Sequence, residues 1–276
     1  MTDASTLLLG CTRLLERFEQ DRRKTVNTWL QKRDFRGLSM ALAKMHPEYC
    51  LIAGAITLRT ARELPAAIAF WRRTESAQDA LLEGLLARAA LSADECAPGD
   101  DAYLFAGYFI FLQYCLLFAG ERGRLEALRG MYESPFVVVK ASEHERWAPL
   151  AAEGLIQFAA WSGDVATTAE LAASLTSHYE EFSLAPVYAE MWKAVAARDG
   201  QSLDKCLPQA ESAYKQAARR RSFDIWGGDK SYNQAMFDIY TTGVLKIARD
   251  VGMQPVYRST LSEKIWPEQI ISHWLN

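Results

Sequence analysis

The chain has 276 residues, of which 50% are hydrophobic and 24% are charged. This composition supplies enough apolar material for a core and excludes intrinsic disorder, while 16 glycines and 9 prolines exclude collagen-like and low-complexity chains. The formal net charge of −3 counts against a nucleic-acid-binding protein, because such proteins are usually basic.

The first residues predict an amphipathic helix. The segment Leu8–Cys11 has the appearance of a lipoprotein cleavage box, but Asp3 stands where such a signal has basic residues, and only three leucines precede the glycine. Leu14, Leu15 and Phe18 then continue with helical spacing. We therefore expect neither an export signal nor a lipid anchor, and we predict a cytoplasmic protein.

The cysteines indicate a reducing compartment. No two of them form a CxxC pair, and a chain of this size does not need disulfides to fold. We predict reduced and mostly buried thiols at Cys11, Cys50, Cys96, Cys115 and Cys206.

The clearest long loop is the acidic segment Asp94–Asp101. Such a loop either separates two helical halves or is an excursion from one domain. Because no linker rich in Gly, Ser or Pro accompanies it, we predict one helical domain over 1–276, with 94–101 as the only candidate boundary inside it.

An uncharged run of 19 residues follows at Ala102–Gly120. It is just long enough to cross a bilayer, with Arg122, Arg124 and Arg129 as a basic flank. Its three tyrosines and Gln113 favour the alternative, a helix that is apolar on all sides and lies inside a helical protein. We predict this fully buried central helix and no membrane partner.

Three helix–turn–helix units follow one another along the chain. Their turn glycines are Gly123, Gly163 and Gly200, and each unit pairs two segments of helical period. The predicted segments are Tyr103–Ala119 with the helix from Arg124, Leu150–Trp161 with Val165–Leu175, and Val187–Ala197 with Ser202–Arg221. The fold class is therefore all-α, either irregular stacked helical hairpins or a helical bundle.

Sequence motifs for catalysis are missing. The chain has no HExxH, GxSxG, GxGxxG or P-loop pattern, and none of its four histidines has a partner at metal-ligand spacing. We predict no catalytic residues, no metal and no cofactor, and hence a binding protein. An active site assembled from residues far apart in the sequence remains the alternative.

The C-terminal third resembles the all-helical immunity proteins of bacterial polymorphic-toxin and type VI secretion systems. The residues that carry this resemblance are Trp226, the predicted helix Tyr232–Val251 before Gly252, and a tail with Tyr257 and Trp266–Ile271. The resemblance implies an inhibitor that binds a cognate toxin and occludes its active site. Without an export signal, we expect that toxin to be a cytoplasm-acting nuclease or nucleotide-consuming enzyme.

Acidic loops are the expected contact surface, since a toxin that acts on phosphates has a basic cleft. The residues predicted to bind the partner are Asp100, Asp101, Asp224, Trp226 and Asp229. Further acids lie in loops at Asp94, Glu95, Glu143, Glu145, Glu180 and Glu181. The alternative function is a helical-repeat scaffold or secretion chaperone that holds a peptide or protein in a concave groove. The oligomeric state and the toxin's identity stay open.

Overall fold

The computed structural model describes residues 4–138, 148–178, 184–220, 237–257 and 265–273. Helices dominate this part of the chain, which confirms the all-α prediction. The α-helices are α1 Ala4–Lys32, α2 Phe35–Ser39, α3 His46–Ala61, α4 Leu64–Arg72, α5 Glu75–Ala89, α6 Phe109–Ala119, α7 Arg122–Tyr132, α8 Ala148–Ser162, α9 Val165–His178, α10 Ala185–Ala196, α11 Gly200–Arg220, α12 Ile239–Asp250 and α13 Glu268–Ile271. A π-helical segment, Met40–Met45, joins α2 to α3.

Helix α6 is the centre of the molecule. All of its residues are buried, and helices α3, α4, α7 and α8 pack around it. The predicted central helix is thus confirmed, because a helix without a polar face has to be covered on every side. Within the described residues, no helix combines the length and the apolarity needed to cross a bilayer.

The predicted start of that helix is wrong. Residues Leu104–Phe105 form a short strand, β1, that pairs in parallel with β2, Val137–Val138. A 3₁₀ turn at Ala106–Tyr108 then leads into α6. The Leu104 amide donates a hydrogen bond of 3.0 Å to the Phe136 carbonyl. This pairing, in which Leu104 is opposite Val137, holds residues 104–105 in an extended conformation and prevents a helix there.

The three helical hairpins are present as α6–α7, α8–α9 and α10–α11. Gly120 (φ 76°) and Gly163 (φ 79°) occupy the left-handed positions of the first two turns. Arg198 (φ 58°) takes that position in the third, so the predicted turn roles of Gly123 and Gly200 are wrong: they belong to α7 and α11. Helices α8 to α11 stack in chain order, while α6 and its neighbours form a bundle.

The predicted loop Asp94–Asp101 lies within residues 93–102, which form two short 3₁₀ turns, Ala93–Glu95 and Gly99–Ala102. A single cluster of buried apolar side chains includes residues from both sides of it. For example, Trp71 before the segment lies 5.5 Å from Phe118 after it, measured between ring centroids.

Candidate functional site

The acidic segment 93–102 is fastened to the turn between α1 and α2. Arg33 adopts a left-handed backbone conformation (φ 55°), and its guanidinium donates a hydrogen bond to the Glu95 carbonyl. The Ala97 amide donates in return to the Arg33 carbonyl at 3.4 Å. Ser92 donates from its amide and its hydroxyl to the Glu95 carboxylate, at 3.0 and 2.7 Å. The segment is therefore held in one conformation by contacts at its first turn.

Asp101 lies beside Asp34, a residue that sequence reasoning did not assign to any site. Asp34 caps α2 by accepting a hydrogen bond of 2.6 Å from the Gly37 amide. Burial raises the pKa of Asp34, and the negative charge of Asp101 raises it further. The two carboxylates are thus close enough to repel each other, while the positive charges of Arg36 and Lys32 act in the opposite direction and lower the pKa of Asp34.

Segment 93–102 and the neighbouring turn between α1 and α2 contain more acidic than basic residues. Hydrogen bonds from Ser92 lower the pKa values of the exposed Asp94 and Glu95, so both are ionised at neutral pH. We call the surface formed by segment 93–102 and the α1–α2 turn the acidic loop surface. By sequence, residues 32–36 and 93–102 contain five acids against three bases, a net charge of −2: Asp34, Asp94, Glu95, Asp100 and Asp101 against Lys32, Arg33 and Arg36.

Trp29 places an aromatic side chain at the edge of the acidic loop surface. The indole is half-buried, and Lys32 Nζ lies 5.6 Å from its ring centroid. It packs directly on Gly37, where a Cβ atom would come within 2.5 Å of the ring. Tryptophan is enriched among residues that dominate binding energy in interfaces. The sequence signal was available, because Trp29 and Lys32 are three residues apart on a helix that ends beside Asp34.

Three of the five residues predicted to bind the partner lie outside the part of the chain that the structure describes. Asp224, Trp226 and Asp229 lie outside the described residues, within 221–236. The acidic pairs at 143 and 145 and at 180 and 181 also lie outside them. Asp100 and Asp101 lie in the 3₁₀ turn Gly99–Ala102, where Asp101 is half-buried.

A buried polar network connects α6, α8 and α10, and sequence reasoning missed it. The Glu153 carboxylate accepts hydrogen bonds from the Tyr114 hydroxyl at 2.8 Å and the Tyr188 hydroxyl at 3.3 Å. Gln113 donates to the Gly154 carbonyl at 3.0 Å. Burial raises the pKa of Glu153 to about 7, although the two tyrosines oppose the shift. This network joins core helices and has no access to solvent.

A second polar cluster joins a buried cysteine and a buried histidine to an exposed glutamate. His46 Nε2 lies 3.4 Å from Glu19 Oε1, and Cys50 Sγ lies 3.9 Å from the His46 ring. Arg73 donates two hydrogen bonds of 2.8 Å to Glu19. Hydrogen bonding to His46 and Arg73 lowers the pKa of Glu19 to about 2, against the effect of burial. Cysteine, histidine and glutamate are also the residue types of a catalytic nucleophile with its base. Here burial raises the pKa of Cys50 and keeps its thiol protonated, so Cys50 does not act as a nucleophile.

Alkylation should separate the thiols by burial. We expect iodoacetamide to modify Cys96 and Cys206, which are half-buried, and to leave Cys11, Cys50 and Cys115 intact, because these three are buried. Burial also raises the pKa values of the three buried thiols, which removes the reactive thiolate; it raises the pKa of Cys206 too, so we expect Cys206 to react slowly. Mass spectrometry of the native protein measures this, and all five thiols should react in urea. Rapid alkylation of Cys50 in the native protein would contradict the conclusion that its thiol is unreactive.

The described C-terminal residues 265–273 are bound to α12 and its N-cap. The Asp238 carboxylate caps α12 by accepting a hydrogen bond of 3.0 Å from the Thr241 amide. The predicted helix Tyr232–Val251 is therefore wrong at residues 237 and 238, which precede the first helical residue, Ile239. The Asp238 amide also donates to the Ile265 carbonyl at 3.0 Å. Lys246 is buried and donates to the His273 carbonyl, and burial lowers its pKa. The described residues of the C-terminal third, 237–257 and 265–273, thus contribute side chains to the core.

Among the described residues, no group of three or more His, Cys, Asp and Glu side chains is arranged to hold a metal ion. Comparison with known proteins gives no family model, no curated protein and no solved structure that matches this chain. The class that fold and surface define is an all-α protein with buried polar clusters and one structured acidic surface.

Proposed function

We propose that this protein is an immunity protein that binds a cognate toxin and occludes the toxin's active site. The toxin would act in the cytoplasm as a nuclease or a nucleotide-consuming enzyme. The observation that carries the proposal is the acidic loop surface, where Asp101 and Asp34 lie together beside Trp29. The C-terminal resemblance supports the same function.

The acidic loop surface is complementary in charge to a basic cleft. An enzyme that acts on phosphate groups binds them in a basic cleft, and a surface of net charge −2 is attracted to such a cleft. Asp34 and Asp101 repel each other in the unbound protein. Lys32 and Arg36 already attract the Asp34 carboxylate, and a lysine or arginine of the toxin placed near both carboxylates would add to that attraction.

The acidic segment 93–102 is ordered before it binds a partner. The Arg33 contacts and the Ser92–Glu95 hydrogen bonds hold the acidic segment before any partner arrives. A loop that is already ordered loses less conformational entropy on binding than a mobile one. This favours a tight inhibitor over a transient contact.

The buried polar clusters favour binding over catalysis. Glu153 and Cys50 are the described groups most similar to catalytic residues, and both are enclosed in the core. A catalytic group has to reach the substrate's reacting atoms, either directly or through one water. Neither group meets this condition, so the described residues supply a stable scaffold for a binding surface.

Charge reversal on the acidic loop surface tests the proposal. We expect Asp100→Lys with Asp101→Lys to weaken toxin binding by about 2–4 kcal/mol, a thirtyfold or greater loss of affinity. Trp226→Ala with Asp229→Lys should have a similar effect. The measurement is a calorimetric titration against a toxin domain sought in the neighbouring genes, together with a growth-protection assay. The melting transition should change little, because Asp101 is not fully buried.

A matched control carries the same change in charge elsewhere. Glu63→Lys with Glu170→Lys replaces two exposed acids outside segment 93–102 and should bind like the native protein. If both loop variants bind as tightly as this control, the contact surface is elsewhere. A genomic neighbourhood that contains no toxin in any close relative, or hydrolase activity that survives repurification, would overturn the immunity function itself.

A further inference from the structure

A single buried arginine binds both ends of the acidic segment 93–102. Arg88 lies near the end of α5 and is 3% exposed. Its Nε donates a hydrogen bond of 2.5 Å to the Ala102 carbonyl, and its Nη1 donates one of 3.1 Å to the Leu91 carbonyl. Ala102 is the last residue of the segment, and Leu91 comes two residues before its first. The segment is thus a compact loop whose two ends meet on one guanidinium.

Two aromatic rings lie against the same guanidinium. The Arg88 Cζ atom is 5.4 Å from the ring centroid of Tyr103 and 4.8 Å from that of Phe136. The Phe136 carbonyl accepts a hydrogen bond of 3.0 Å from the Leu104 amide, where β2 pairs with β1. A planar guanidinium stacks on rings and donates along its edge at the same time, which an ammonium group cannot do. Arg88 therefore connects α5, the acidic segment and the two short strands.

Charge repulsion opposes the order of this segment. Residues 93–102 contain no base and four acids, which are Asp94, Glu95, Asp100 and Asp101. Like charges placed this closely repel one another and favour an open chain. Among the described residues, the hydrogen-bond partners of Arg88 are backbone carbonyls. Arg88 therefore acts on the backbone of the segment and not on a single carboxylate.

We infer that Arg88 is the positioning residue of the acidic loop surface. It closes the segment from the buried side, whereas Arg33 fastens it from the α1–α2 turn. Because Arg88 is buried, it acts through the loop and does not itself contact a partner. The binding role of this surface rests on the proposed function, whereas its order is a property of the free protein. Failure to find a toxin would contradict that function and leave the order of the loop unaffected.

Hydrogen exchange of the free protein measures how often the loop opens. The reporters are the amides of Ala97, Leu104 and Phe105, which donate to acceptors outside the segment. Arg88→Met keeps an unbranched side chain at this position and removes its donors. We expect it to speed exchange of the three reporter amides by about tenfold or more, because opening then breaks fewer native contacts.

Gln78→Met is the matched control on the same helix. Gln78 is 4% exposed, and its Nε2 donates a hydrogen bond of 2.7 Å to the Arg124 carbonyl. This variant also loses a buried side-chain donor and with it global stability, which urea unfolding measures for both variants. Opening of the loop leaves the Gln78 contact intact, so the three reporter amides should exchange at the native rate.

Arg88→Lys separates the shape of the guanidinium from its charge. An ammonium group keeps the charge but does not bind two carbonyls while it lies between two rings. We expect the reporter amides to exchange about threefold or more faster than in the native protein. The inference is overturned if Arg88→Met leaves these amides at the native rate, or if Gln78→Met speeds them as much. Native rates in Arg88→Lys would overturn it as well, because a positive charge alone would then suffice.

Discussion

Replacing Phe111 by aspartate is expected to prevent folding of the chain. Phe111 is fully buried in α6, the helix around which the bundle is built. An unpaired carboxylate at that position costs several kcal/mol, and the lost ring adds a further 3–5 kcal/mol, roughly, to the destabilisation. Together these costs approach the whole stability of an ordinary domain, about 5–15 kcal/mol. Circular dichroism and the yield of folded protein measure the outcome.

Leu86→Asp is the matched control for this variant. Leu86 is 64% exposed on α5, so the same charge placed there stays in water. Its melting transition should agree with that of the native protein to within the effect of an ordinary surface substitution, about 0.5 kcal/mol. A Phe111→Asp protein that folds and melts like the Leu86→Asp protein would show that α6 is not the centre of the core.

Glu153 should make the stability of the protein depend on pH near neutrality. Its pKa is about 7 in the folded chain, against 4.5 for an ordinary glutamate. Between these values the carboxyl is protonated in the folded chain and ionised in the unfolded chain, so folding takes up a proton. Stability from this group is full below pH 4.5, falls as the pH rises, and is lost above about pH 7. The loss amounts to about 3 kcal/mol.

Glu153→Gln isolates this contribution, since glutamine keeps the shape of the side chain and does not titrate. Urea unfolding of both proteins from pH 4.5 to pH 8 gives the difference in their free energies of unfolding at each pH. That difference should move by about 3 kcal/mol in favour of the glutamine variant as the pH rises. Parallel curves over this range would mean that Glu153 ionises normally in the folded protein.

The acidic loop surface shows how far sequence reasoning reaches towards a site. Asp101 was recognisable because charge is concentrated in its segment. Asp34 was not, since it is 67 positions away in the sequence and caps a helix that begins only after a left-handed turn at Arg33. The buried clusters around Glu153 and His46 were equally out of reach, because their partners come from different helices.

What the sequence determined by itself is local. An uncharged run predicts a helix buried on all sides, and Gly163 followed by Asp164 predicts a helix end and the next helix cap, because both effects act between neighbours in the chain. The structure confirms these elements. The contacts of these elements with residues far away in the sequence depend on the tertiary structure.

Only the tertiary structure decided where α6 begins and which residue turns the third hairpin. Residues 104–105 are a strand because Val137–Val138 pair with them, and neither segment forms a ladder alone. Arg198 tolerates φ 58° because its guanidinium binds the end of α8, a contact worth more than the backbone conformation costs. Contacts between distant segments exist only after the chain has folded, so local periodicity and turn chemistry carry no record of them.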